Sequence, residues 1–129
     1  MSQSAISPEQ QAAAIENAIR DGYEPIFGDS RTLTLDLDSQ EAESRYAKTL
    51  PEIAAMFSII EAARWSSKSG HSHVMLILDH DVDVVMRLFL QVLLGSDPVR
   101  ERFSLQRWLM GEQEPSVLFR PKGKKEGNG

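Results

Sequence analysis

Leucine occupies every second position of residues 33–37, and threonine or aspartate fills the positions between and around them. Side chains of a β-strand alternate between two faces, so this pattern predicts a strand whose leucine face packs on the core. The other face would carry Asp36 and Asp38. The pattern therefore predicts a strand with one buried face and one open, polar face that holds two carboxylates.

Helix-start and turn residues divide the rest of the chain. Ser7, Ser39 and Asp97 each precede a segment with helical character, and Gly22 and Gly95 follow two of these segments. Such residues begin and end helices. We predict helices over 8–21, 40–57, 82–94 and 98–110, strands over 32–38, 58–65, 71–78 and 116–120, and a loop over 23–30.

From residue 31 onward the predicted order is β-α-β-β-α-(α)-β, which is the order of RRM and ferredoxin-like folds. We therefore predict an α+β protein with one sheet, helices on one face of it and an extra N-terminal helix. Its parts would be an N-terminal helix and loop (1–30), an RRM-like core (31–122) and a flexible basic tail (123–129). The first and third strands would be neighbours, bringing Asp36 and Asp38 close to His71 and His73 on the open face.

Composition narrows the class of protein. The chain has 129 residues, 41% of them hydrophobic and 26% charged, which suits one globular domain, and no apolar run is long enough to cross a bilayer. A net charge of −5 argues against a uniformly basic surface for duplex binding. The lack of cysteine excludes thiolate metal sites, and with no evident signal sequence it predicts a cytoplasmic protein and no membrane partner.

The pair Asp36 and Asp38 is a candidate site for Mg²⁺ or Mn²⁺, because hard cations take oxygen ligands and offset the repulsion between carboxylates. Two other interpretations stay open. The aspartates can lie on a solvated strand face that ends where Ser39 caps the next helix. Alternatively, a transition-metal site can be formed by a set of four residues: His71, His73, Asp79 and His80.

The D-x-D strand, followed by a Ser/Gly-rich turn that leads into a strand beginning with histidine, resembles the archaeo-eukaryotic primase superfamily, which includes primase-polymerases. The first motif is Asp36-Leu37-Asp38 and the second is residues 67–74, Ser-Lys-Ser-Gly-His-Ser-His-Val. The resemblance implies a minimal or degenerate member with an RRM-like core, of the kind expected in a phage or mobile-element replication module. It also implies a metal-dependent nucleotidyltransferase that acts on a nucleoside triphosphate and a nucleic-acid strand.

The resemblance also assigns residue roles. Asp36 and Asp38 would hold the metal ions, His73 would contact the triphosphate, and Asp97 is the best candidate for a third carboxylate, although it stands at a helix start. The remaining phosphate contacts would come from the turn and from basic residues near the end of the chain: Ser67, Lys68, Ser69, Gly70, Arg120 and Lys122.

A second function class is a non-catalytic relative that keeps the fold as a single-strand nucleic-acid-binding or oligomerising module. The helix over 82–94 is apolar nearly all round, which is typical of a deeply buried helix or of a contact in a homo-oligomer. The charged residues of the next helix are predicted to form a solvated face, with a path for phosphate groups as the alternative; they are Arg100, Glu101, Arg102 and Arg107.

Overall fold

The computed structural model describes residues 7–56, 58–67 and 70–122, which form four helices and five strands. The elements in chain order are α1 (Pro8–Arg20), β1 (Tyr23–Phe27), β2 (Thr32–Leu37), α2 (Gln40–Ala54), β3 (Ile59–Ser66), β4 (Ser72–Leu78), α3 (Val84–Leu93), α4 (Pro98–Leu109) and β5 (Val117–Pro121). The protein is therefore α+β, as predicted. The proposed tail over 123–129 lies outside the described residues.

Side-chain caps begin the helices where the sequence indicates. Ser7 and Gln10 form a capping box at α1, Ser39 accepts a hydrogen bond from the backbone of α2, and Asp97 does the same at α4. A proline inside a helical pattern predicts an interruption, but α2 runs through Pro51 to Ala54.

Three strands form an antiparallel sheet in the order β2-β4-β3. Strands β2 and β3, joined through α2, are thus separated by β4, which confirms that the first and third predicted strands are neighbours. In the register between them, Asp36 lies opposite His73 and Leu37 lies opposite Ser72. A bulge between Glu61 and Ala63 interrupts the pairing of β3 with β4.

The full ferredoxin-like order is not confirmed. Strand β5 pairs antiparallel with β1 in a separate two-stranded sheet, which we call the ribbon. The predicted loop over 23–30 is wrong at Tyr23–Phe27, because this segment finds a pairing partner in β5 in spite of Pro25. Proline is tolerated here since each strand of a two-stranded ribbon has an unpaired side.

Leucines from the sheet form the core with one face of α2 and α3. Leu33, Leu35, Val74 and Leu76 are fully buried, and Leu94 of the α3–α4 connection packs with them. The predicted core face is therefore confirmed. The predicted open face is wrong for Thr34, which is 0% exposed because Arg100 of α4 and the ribbon cover this part of β2.

Helices α3 and α4 pack side by side and leave an apolar surface on their outer side, where Phe89 is 57% and Leu109 is 70% exposed. In the described part of the chain, no helix has the length and apolar character needed to cross a membrane.

Candidate functional site

Asp36 and His73 meet across the β2–β4 pair. The two residues are direct partners in the register, and their side chains point to the same side, so that Nε2 of His73 lies 3.6 Å from Oδ1 of Asp36. Both side chains are largely buried, with 13% of the His73 side chain and 22% of the Asp36 side chain exposed. The structure thus brings together one carboxylate and one imidazole from the two predicted motifs.

The pair opens into a cleft of about 450 Å³ between this face of the sheet, α1 and the ribbon. Tyr23 and Phe119 of the ribbon supply aromatic walls, and Ser67 and His71 border the cleft at the β3–β4 turn. Helix α1 closes the remaining side with small and polar residues: Ala14, Asn17, Ala18 and the adjacent Asp21. The volume lies in the range of small-ligand sites.

A hydrogen bond fixes the ring of His73. Its Nδ1 lies 3.3 Å from the carbonyl oxygen of Phe119, and because a carbonyl only accepts, Nδ1 carries the proton. This orientation directs Nε2 toward Asp36. Trp65 holds the ring from the side in an edge contact at 5.8 Å and donates from Nε1 to the same Phe119 carbonyl.

Burial acts on both partners and disfavours their charged forms. It raises the pKa of the Asp36 carboxyl, and the nearby His73 opposes that rise only in part. It lowers the pKa of the His73 imidazole, with Asp36 acting in the opposite direction. Oδ1 of Asp36 is buried and has no hydrogen-bond donor within reach. The pair therefore provides an electron-rich position that a proton or a metal cation can fill.

The backbone of Asp36 is held from the free edge of β2. Its N–H donates to Oγ of Ser96 at 2.9 Å, and its carbonyl accepts from the N–H of Asp97 at 2.9 Å. Further along the same edge, the N–H of Thr34 donates to Gln91, and Arg100 donates to the carbonyl of Thr34. The α3–α4 connection thus takes the place of a neighbouring strand.

The carboxylate of Glu101 is the common hydrogen-bond acceptor for Gln91, Ser96 and Arg100. It is 3% exposed and accepts hydrogen bonds from Gln91 at 2.7 Å, from Ser96 at 2.7 Å and from Arg100 at 2.5 Å. The predicted solvated face of α4 is therefore wrong for Glu101 and for Arg107, which is 4% exposed. We call Gln91, Ser96, Arg100 and Glu101 the edge network.

Asp38 and Asp97 are placed differently from Asp36. Strand β2 ends at Leu37, so Asp38 lies beyond it, half-buried beside the N-cap of α2, and is not among the residues that line the cleft. The Asp97 side chain accepts from the N–H of Val99 and caps α4. Asp97 is nevertheless close enough to contribute to the raised pKa of Asp36.

The predicted phosphate-binding turn is described in part. The backbone N–H of Ser67 donates to the carbonyl of His71, and the N–H of His71 donates to Oγ of Ser67. Gly70 has a positive φ of 88°, which glycine adopts readily. Lys68 and Ser69 lie outside the described residues. Ser67 lines the cleft, so the turn is adjacent to the Asp36–His73 pair.

Arg120 and Lys122 do not line the cleft. Arg120 pairs with Glu24 at 2.9 Å across the ribbon and stacks over the ring of Trp65 at 5.4 Å. Lys122 is exposed at the end of the ribbon, where its backbone N–H donates to Gly22. Arg120 therefore neighbours the site through Trp65.

The four-residue transition-metal set is not brought together. His80 pairs with Asp79 at 2.8 Å just after β4, whereas His73 is near the other end of that strand, about 20 Å away at about 3.3 Å per residue. Among residues 7–56, 58–67 and 70–122, no group of three or more histidine, aspartate or glutamate side chains is arranged to hold a metal ion.

Sequence reasoning missed two parts of the site. Tyr23 and Phe119 reach the cleft through the β1–β5 pairing, which no local pattern indicates. The edge network had a signal, because Gln91 interrupts an apolar helix and Glu101, Ser104 and Arg107 recur at a spacing of three residues, which places them on one helix face. All four are buried.

Comparison with protein-family models, with curated proteins and with solved structures gave no match to this chain. Interpretation of the site therefore depends on its own residues and geometry.

Proposed function

We propose that the cleft binds a nucleoside triphosphate together with a divalent cation and that the protein is a metal-dependent nucleotidyltransferase of the primase-polymerase type. The observation that carries this proposal is the cross-strand pair of Asp36 and His73 at 3.6 Å, inside a cleft bordered by the turn at Ser67. These positions belong to the two motifs on which the resemblance depends. The split β-α-β unit of β2, α2 and β3 around β4 supports an RRM-like core.

The residues fit a hard cation such as Mg²⁺ or Mn²⁺. Asp36 presents a buried Oδ1 that lacks a hydrogen-bond donor, which is an unfavourable state that a cation would relieve. With a cation held there, charge on the phosphate oxygens would be neutralised while a nucleic-acid hydroxyl attacks the α-phosphate and pyrophosphate leaves. Asp36 and His73 would hold the cation, whereas Asp38, which the resemblance also assigns to the metal, lies outside the cleft lining.

The chain's other groups would bind and orient the nucleotide. His73, with its proton on Nδ1, presents the lone pair of Nε2 to that cation, through which it would contact the phosphate oxygens. The resemblance implies phosphate contacts from the turn at Ser67, although the described N–H groups of Ser67, Gly70 and His71 already donate within the turn. Tyr23 and Phe119 offer aromatic surface for a base, because every base has a face that stacks.

The first prediction concerns metal-dependent binding. In calorimetric titration with Mn²⁺ and a nucleoside triphosphate, we expect binding to the wild type and at least a tenfold weaker affinity for Asp36→Asn. Asp79→Asn is the matched control, since this exposed aspartate lies away from the cleft, and it should bind as the wild type does. Equal affinities for wild type and Asp36→Asn, with melting temperatures unchanged, would contradict the proposal.

The second candidate function is a non-catalytic module that binds single-stranded nucleic acid. It is favoured by the position of Asp38 outside the cleft and by the lack of a three-ligand metal group among the described residues. Binding of an oligonucleotide that is unaffected by EDTA and by Asp36→Asn, combined with no nucleotide incorporation, would support this alternative over the enzyme.

A further inference from the structure

We propose that the protein forms a two-fold symmetric homodimer through the outer surface of α3 and α4, a proposal that is independent of the function proposed for the cleft. Thirteen large hydrophobic side chains are exposed in the described part of the chain, and seven of them belong to this surface; Met86 and Val99 of the same helices line other clefts. We call it the helix patch; its members are Val85, Phe89, Val92, Leu93, Leu105, Leu109 and Met110.

The patch is large enough for a dimer interface. At the observed exposures of 37–70%, its seven side chains present roughly 400 Å² of apolar surface, given the area covered by one aliphatic or aromatic side chain. A standard interface buries about 800 Å² per partner, of which somewhat more than half is apolar. Isolated exposed hydrophobic residues need no explanation, but a contiguous patch of this size does.

The patch is also complementary to itself. A groove of about 340 Å³ runs between the two helices, lined by Val85 and Val92 from α3 and by Leu105 from α4. Phe89 stands at the same groove and is 57% exposed. A two-fold interface pairs one surface with itself, so the exposed Phe89 of each copy would pack against the groove of the other.

Charge does not oppose this contact. Two charged residues line the groove, and one of them, Glu101, is 3% exposed and already paired with Arg100. The other, Arg102, packs its guanidinium over the ring of Phe103 and can keep its charged end in water at the rim.

Helices from two copies would pack as a four-helix unit, with the ridges of one in the grooves of the other. The cleft at Asp36 shares no lining residue with this groove, so it would stay accessible in the dimer.

Sedimentation equilibrium of the full chain between about 1 and 200 µM tests the proposal. We expect the wild type to approach twice the 14.4 kDa of one chain and Phe89→Glu to remain monomeric, with a dissociation constant raised at least tenfold. Ile60→Glu is the matched control, because Ile60 is 61% exposed but lies on β3, and it should dimerise as the wild type does. Circular dichroism checks that both variants are folded.

Disulfide trapping gives a second measurement that detects the contact between two copies directly and does not require a variant that disrupts it. The chain has no cysteine, so single cysteines can be introduced without background. We expect Phe89→Cys or Val92→Cys to form covalent dimers on mild oxidation at low protein concentration, and Ile60→Cys not to do so.

A monomeric wild type at 200 µM would overturn the proposal and leave the patch to another kind of partner. A dimer that Ile60→Glu abolishes and Phe89→Glu leaves intact would also overturn it, because the contact would then lie at the edge of β3. Mass that grows beyond a dimer with concentration would show unspecific association instead of a two-fold interface.

Discussion

The two outer strands of the main sheet, β2 and β3, differ in the hydrogen bonds made along their free edges. Along β2 the backbone groups of Thr34 and Asp36 bond to the edge network and to the N–H of Asp97. Strand β3 pairs with β4 on one side, and its pairing is interrupted by a bulge at Ala62, which is exposed. Bulges and charged residues limit unwanted pairing of an edge, whereas buried hydrogen bonds fix its position. The buried polar groups thus lie along the edge of β2, where they fix the position of Asp36.

Removal of the Glu101 carboxylate should lower the stability of the β2 edge more than any other change proposed below. Glu101→Ala leaves Gln91, Ser96 and Arg100 without their common acceptor, and removal of one partner of a buried ion pair costs about 3–5 kcal/mol. We expect the free energy of unfolding, measured in urea, to fall by that amount. Gln106→Ala, at an exposed position of the same helix, should change it by no more than about 0.5 kcal/mol. Similar losses in both variants would show that α4 itself, and not the network, sets the stability.

Ser96→Ala should have a smaller effect at the same edge. The variant removes the acceptor for the N–H of Asp36 and one donor to Glu101, and an unsatisfied buried group costs about 1–3 kcal/mol. Amide hydrogen exchange at Asp36 should accelerate, while exchange at the core residue Leu76 should change only with global stability. Unchanged protection at Asp36 would mean that Ser96 does not hold this strand.

The His73–Asp36 pair should make stability depend on pH. Burial lowers the pKa of His73 in the folded protein, so between that value and about 6.5 the unfolded chain binds more protons, and stability rises with pH through this window. For Asp36 burial raises the pKa, so stability falls as pH rises from about 3.8 toward the folded value.

We therefore expect the wild type in EDTA to lose stability as the pH falls from 8 toward the lowered pKa of His73, and His73→Gln to lose less. Thermal melts in a series of buffers measure this difference. Parallel curves for the two proteins would contradict a buried, neutral His73.

A substitution at the free edge of β3 should have little effect on the free energy of unfolding. Ala62→Lys adds a charge at the exposed bulge of β3, and we expect a change of no more than about 0.5 kcal/mol in the free energy of unfolding. A loss above about 1 kcal/mol would show that the β3 edge packs against something that stabilises it, and the contrast between the edges would then be smaller than the hydrogen bonds indicate.

Periodicity and capping predicted most of the helices and strands, because these signals are local. Alternation identified the leucine face of β2, and serine and aspartate caps placed the helix starts. The adjacency of Asp36 and His73 was also predicted from topology and is confirmed by the register. Strand β1 was missed, because Pro25 and Gly28 are turn residues and only the distant β5 provides the pairing.

The partners of the buried polar residues were not predictable in the same way. The positions of Gln91 and Glu101 on their helices indicate burial, but nothing local indicates that they meet Ser96 at one strand edge, since the contacts join positions up to 60 residues apart, as for Ser96 and Asp36. The chemistry of the site likewise remains a prediction that the proposed titration tests.

The ribbon is attached to the main sheet by side chains at the cleft. Arg100, Trp65 and His73 each bond to a carbonyl of β5, while the ladder of β5 itself runs to β1. The spacing between ribbon and sheet therefore depends on these three side-chain hydrogen bonds and on the packing of the buried Leu118, and not on a shared backbone ladder. The width of the cleft is thus set by side chains, while the strands that carry Asp36 and His73 are held by their own ladder.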